Sequence, residues 1–120
     1  MFKLDDNEET IIKNWPVLIN VPQDGGAVQK HEITADFLLL PQDQLDDLMT
    51  ASRDSEGGSV DVDILRRVVK RITGVADADG KALDYTAELL ERLIKKAYIR
   101  SALVTTYFEA ASGKKAKRKN

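Results

Sequence analysis

The sequence predicts an α+β fold: a small N-terminal antiparallel β-sheet, made of a hairpin plus an edge strand, followed by a three- to four-helix C-terminal part. Three observations carry this expectation. Apolar residues alternate with period two as far as Leu40, and from Pro41 the period changes to about 3.6. Proline- or glycine-bearing breaks at 22–26 and 54–59 separate the periodic stretches. Strands first and helices afterwards is the order of a sheet covered on one face by helices. A chain of 120 residues forms one domain by size, here expected to comprise a β-rich part over 1–40, a helical part over 41–113 and a disordered basic tail over 114–120.

Phe2-Lys3-Leu4 is the expected edge strand. The stretch 15–21 reads as the next strand, with Trp15, Val17, Ile19 and Val21 on one face and Leu18 on the other, and it is rich in β-branched side chains. Pro22-Gln23-Asp24-Gly25-Gly26 then supplies a proline and two residues tolerant of positive φ, which suits a reversing loop. Over 28–40, Gln29, His31, Ile33, Ala35, Phe37 and Leu39 alternate with Val28, Lys30, Glu32, Thr34 and Asp36. The first set carries most of the apolar groups and is expected to face inward.

Pro41 suits the first turn of a helix, and Asp43 sets negative charge near the positive end of its dipole. Leu45, Leu48 and Met49 form the buried stripe of that helix. After Asp54-Ser55-Glu56-Gly57-Gly58-Ser59, either Asp61 or Ser59 caps a second helix. Its apolar positions, Ile64, Leu65, Val68, Val69 and Ile72, share one face, and Gly74 stops it. Asp77-Ala78-Asp79-Gly80 forms a turn. Asp84 is the expected N-cap of a third helix through Leu89, Leu90, Leu93 and Ile94, and the pattern continues through Tyr98, Ala102, Tyr107 and Phe108 to Gly113. One long helix fits this stretch, as do two with a bend near Lys95-Lys96-Ala97. The bend is expected, because a straight helix would outrun so small a domain.

The residues offer little to chemistry. With no cysteine, disulfides, thiolate metal sites and cysteine nucleophiles are excluded. No apolar run approaches the ~20 residues needed to span a bilayer. Met1-Phe2-Lys3-Leu4-Asp5-Asp6 is acidic and lacks the apolar region of a signal peptide, so the chain reads as cytoplasmic. His31 is the only histidine and has neither a second histidine nor a cysteine to share a metal with. Aligning Gly80 with the invariant glycine of an EF-hand loop puts Val75 and Thr86 at the two key ligand positions. The aspartates there are therefore turn formers rather than calcium ligands. Gly25-Gly26 and Gly57-Gly58 lack the spacing of phosphate-cradling loops. Asp46 and Asp47 sit on a solvated helix face, with no acid and base assembled in a cleft. The chain is expected to be no enzyme, with no cofactor and no metal.

Two basic features remain. Arg66, Arg67, Lys70 and Arg71 fall opposite the apolar face of the second helix, where they form a binding surface or simply an exposed face offset by Asp61 and Asp63. Lys114, Lys115, Lys117, Arg118 and Lys119 form the tail. Nucleic acid is disfavoured as their partner, because the net charge is −2 and no aromatics interleave with the cations for base stacking.

Taken in order, several segments resemble a family of phage tail-assembly chaperones of lambda-like long-tailed phages and prophages. They are Phe2-Lys3-Leu4, Trp15-Pro16-Val17, the loop Pro22-Gln23-Asp24-Gly25-Gly26, Phe37, and Asp63-Ile64-Leu65-Arg66-Arg67-Val68-Val69. The series continues with Gly74-Val75-Ala76-Asp77-Ala78-Asp79-Gly80, the stretch 102–110 and Lys119-Asn120. Each piece is of low specificity alone, and together they span nearly the whole chain. Where the family often has a tryptophan after the Val-Val segment, this chain has Ile72. The resemblance implies a non-catalytic cytoplasmic protein that binds the tape-measure protein and tail-tube subunits during virion morphogenesis and is absent from the mature particle. Homo-oligomer formation is compatible with that role. The residues expected to meet partners are Arg66, Arg67, Lys70 and Arg71, Tyr107 and Phe108 on the last helix, and Lys114 and Lys115.

Overall fold

Two β-branched runs and a glycine-bearing turn make the hairpin on which the domain is built. The computed structural model describes residues 1–7 and 9–119. In it, β1 (Thr10–Pro22) and β2 (Val28–Leu39) pair antiparallel across a 3-10 turn at Asp24–Gly26. Gly25 and Gly26 take φ of 77° and 89° there, values glycine reaches without a Cβ clash. The Gln23 N–H closes the turn onto the Ala27 carbonyl at 2.8 Å. Strand β1 begins at Thr10, ahead of the expected start at Trp15, because its register shifts between Ile12 and Trp15. At that bulge Asn14 adopts φ 55°, and its N–H donates to Asp36 Oδ1 at 2.8 Å.

Four helices follow: α1 (Gln42–Asp54), α2 (Val60–Val68), α3 (Ala87–Ile94) and α4 (Ala97–Ala111). Pro41 stands at the N-cap of α1, and Leu45 is its buried anchor, with Leu48 and Met49 half-buried. Ser59 caps α2 by accepting from the Val62 N–H. Helix α3 starts later than expected: its N-cap is Thr86, not Asp84, and Thr86 Oγ1 accepts the Leu89 N–H at 3.0 Å. The bend at 95–97 separates α3 from α4, and the Arg100 guanidinium donates to the Ile94 carbonyl that the bend leaves without a helical partner.

The third strand is a correction. Phe2-Lys3-Leu4 forms no strand. The sheet is completed instead by β3 (Val69–Thr73), giving the order β1-β2-β3, all antiparallel. Val69 and Ile72 therefore belong to a strand, not to the end of α2, which stops at Val68. They pair with Phe37 and Ala35, and a bulge at Lys70 puts two residues between the two inward-facing side chains.

One face of the sheet is the core face. Val17, Ile19, Ile33, Ala35, Phe37, Val69 and Ile72 are all buried on it, as the β2 alternation predicts, while His31 at the hairpin end is exposed. Helix α4 buries one stripe, Ile99, Leu103, Tyr107 and Ala110, against the rest of the domain. Its Ile99, Leu103 and Tyr107 join Ile64, Leu65 and Val68 of α2 and the leucines of α3 in a single cluster with the sheet. Tyr107 is 0% exposed. Its ring meets Phe37 edge-on at 5.5 Å, and its oxygen accepts the Leu40 N–H at 3.1 Å.

Tyr107→Phe keeps the packing and leaves the Leu40 N–H without its acceptor. Urea unfolding is expected to show a loss of roughly 1–3 kcal/mol at an unchanged m-value.

Candidate binding groove

The connection between the last helix and the tail positions one concave surface. Gly113, at φ 81°, ends α4 in a Schellman arrangement. The Lys114 N–H donates to the Glu109 carbonyl and the Gly113 N–H to the Ala110 carbonyl, each at 3.0 Å. This reverses the chain and sends residues 114–119 back across the hairpin. They carry no helix or strand, but they make contacts. Lys117 Nζ reaches Glu109 at 3.2 Å, the Lys119 N–H donates to Glu32 Oε1 at 2.9 Å, and Ala116 is half-buried. Asn120, which closes the matched series of segments, lies outside the described residues.

A groove of about 390 Å³ runs between β1 and α4, with this returning segment as its third wall. Strand β1 contributes Trp15, Pro16, Leu18 and Asn20. Helix α4 contributes Tyr98, Ser101, Ala102 and Thr105, one stripe at helical spacing, with Glu109 a turn further on. Lys30, Lys115 and Lys117 supply charge at the rim. The lining is therefore mixed: apolar at Trp15, Pro16, Leu18 and Tyr98, small and hydroxyl-bearing along α4, and charged at three lysines against one glutamate that Lys117 already partners. Such a surface suits a protein segment that brings apolar side chains and negative charge.

The residues expected to meet partners separate into different environments. Lys115 lines the groove, and Lys114 stands exposed just outside it. Tyr107 is a core residue and a correction: buried against Phe37 and bonded to the Leu40 backbone, it is out of reach of any partner. Burial pushes its phenol upward from the ordinary tyrosine value, partly offset by that backbone bond. Phe108 is half-buried and meets the Tyr107 ring edge-on at 5.4 Å. Arg66 and Arg67 are exposed at the end of α2, whereas Lys70 and Arg71 lie on β3, so the four do not form one helix face. Arg66 is further committed to α3. Its Nε and Nη2 both donate to the Glu91 carboxylate, the shorter contact at 2.6 Å, and Asp63 lies 3.6 Å away.

Asp77-Ala78-Asp79-Gly80 is the turn its composition predicts. Asp77 Oδ1 accepts the N–H groups of Asp79 and Lys81, both at 2.9 Å, and Ala76 bridges to Ala82 across it. Among the described residues no three His, Cys, Asp or Glu side chains gather where a metal ion would sit. Nor, among them, is any helix long and apolar enough to cross a membrane.

The groove-lining β1 residues and the α4 stripe were not singled out as a binding surface from sequence. The available signals were Leu18, an apolar residue on the polar side of its strand, and the Tyr98–Ser101–Ala102–Thr105 spacing. No protein-family model, curated protein or solved structure matches this chain.

The Arg66 guanidinium holds the Glu91 carboxyl below the ordinary glutamate range. A depressed carboxylate stabilises the fold above its unfolded value and loses that contribution as pH falls through the folded one. Urea midpoints measured against pH should therefore fall across the acid range in the parent chain and fall less steeply in Arg66→Met.

Proposed function

We propose that this chain is a non-catalytic tail-assembly chaperone that binds the tape-measure protein and tail-tube subunits while a phage tail is built. The observation that carries the reading is the groove: apolar Trp15, Leu18 and Tyr98 among lysines line a concave surface suited to holding a protein segment. The ordered series of matching segments supplies the identity of the partners, because it implies a protein that works by coating and delivering other proteins. The competing reading, a small nucleic-acid-binding or regulatory protein, draws on Arg66, Arg67, Lys70, Arg71 and the tail. It is less well supported, since Arg66 is engaged by Glu91 and Lys117 by Glu109.

Co-expression with the tape-measure and tail-tube proteins encoded beside its gene is the direct test. The expected outcome is a complex that survives gel filtration and keeps the tape-measure protein soluble, with the chain missing from purified particles by mass spectrometry. A gene lying outside any tail cluster would count against the reading. So would tight DNA or RNA binding with a steep salt dependence and no tail-protein complex.

A further inference from the structure

Phe2 and Leu4, which join no strand, are 89% and 78% exposed. Asp5, Asp6 and Glu9 follow them closely. The segment thus joins two large apolar side chains, with Lys3 between them, to the adjacent carboxylates of Asp5 and Asp6. The groove between β1 and α4 has the complementary character: apolar lining at Trp15, Leu18 and Tyr98, and lysines at Lys30 and Lys115 for which, among the described residues, the groove holds no carboxylate besides Glu109, already paired with Lys117. None of residues 1–7 lines that groove within the chain.

We propose that the groove of one copy receives segment 1–7 of a second copy, with Phe2 and Leu4 against its apolar lining and Asp5 and Asp6 against Lys30 and Lys115. Each copy then donates one segment and accepts another. This is a heterologous contact, which closes into a ring where the rotation permits and otherwise extends into a filament. The contact is small, placing the association among weak, reversible ones. Its charged part weakens as salt rises. The inference goes beyond the chaperone reading and holds whatever other protein the groove accepts.

Sedimentation velocity on the full chain, over a wide concentration range at low and high salt, tests it. The sedimentation coefficient is expected to grow with concentration, less so at high salt. The Phe2→Ala/Leu4→Ala double variant should weaken the association about tenfold or more. Ser101→Trp, which fills the groove from an exposed helix position, should do the same. Because one variant retains the groove and the other retains the segment, mixing them should restore a single contact and give a heterodimer that neither forms alone. A parent chain that stays monomeric throughout overturns the proposal, as does self-association indifferent to the double variant. It is also overturned if an added peptide of residues 1–7 binds the double variant while the parent remains a monomer that excludes it, since the segment then occupies its own groove.

Discussion

The hydrogen bond from the Leu40 N–H to the Tyr107 phenol oxygen joins residues 67 positions apart. It fixes the point where β2 ends and α1 is about to begin. A strand that leaves a sheet presents a backbone donor with no ladder partner, and burying such a group unsatisfied is costly. Tyr107 meets that need while its ring packs on Phe37. One side chain thereby sets the height and rotation of α4 over the sheet. From that rotation follows the direction of the neighbouring stripe, Tyr98, Ala102 and Thr105, which forms one wall of the groove. Core and groove share one helix, so the geometry of the second is inherited from the packing of the first.

The hairpin, its turn, α1 and the bend between α3 and α4 were all legible in the sequence, because period, proline and glycine each act locally. The third strand was not, for a specific physical reason. Inward side chains of a regular strand are two residues apart, but the bulge at Lys70 spaces Val69 and Ile72 by three, which imitates a helix continuing from Ile64, Leu65 and Val68. The signal that distinguishes the two was the β-branched run itself, Val68, Val69, Ile72 and Thr73. A second bulge, at Asn14, hid the first residues of β1 in the same way. Tyr107 shows the converse problem for the site: an aromatic residue reads alike in sequence whether it faces a partner or the core.

The outer side of the hairpin is less simple than alternation suggests. In register, Pro16 lies opposite Thr34, Leu18 opposite Glu32 and Asn20 opposite Lys30. Thr34 and Thr73 join their hydroxyls across β2 and β3 on that same side. Pro16 and Leu18 on β1 beside polar groups on β2 make a half-apolar strip bordered by helix α4 and the segment after Gly113. The cationic residues divide accordingly. Those at the α2–β3 junction border a helix–helix ion pair, whereas those after Gly113 border the strip.

Helix α2 passes into β3 without an intervening residue, Val68 ending one and Val69 beginning the other. The Val69 N–H still donates to the Leu65 carbonyl, while Val69 is already registered opposite Phe37. With no slack between them, an opening that lifts β3 from the sheet also strips the last turn of α2, so the two open as one cooperative unit. The unit is tied to the hairpin at its far end as well, where the Thr73 hydroxyl meets that of Thr34, 39 positions away in sequence.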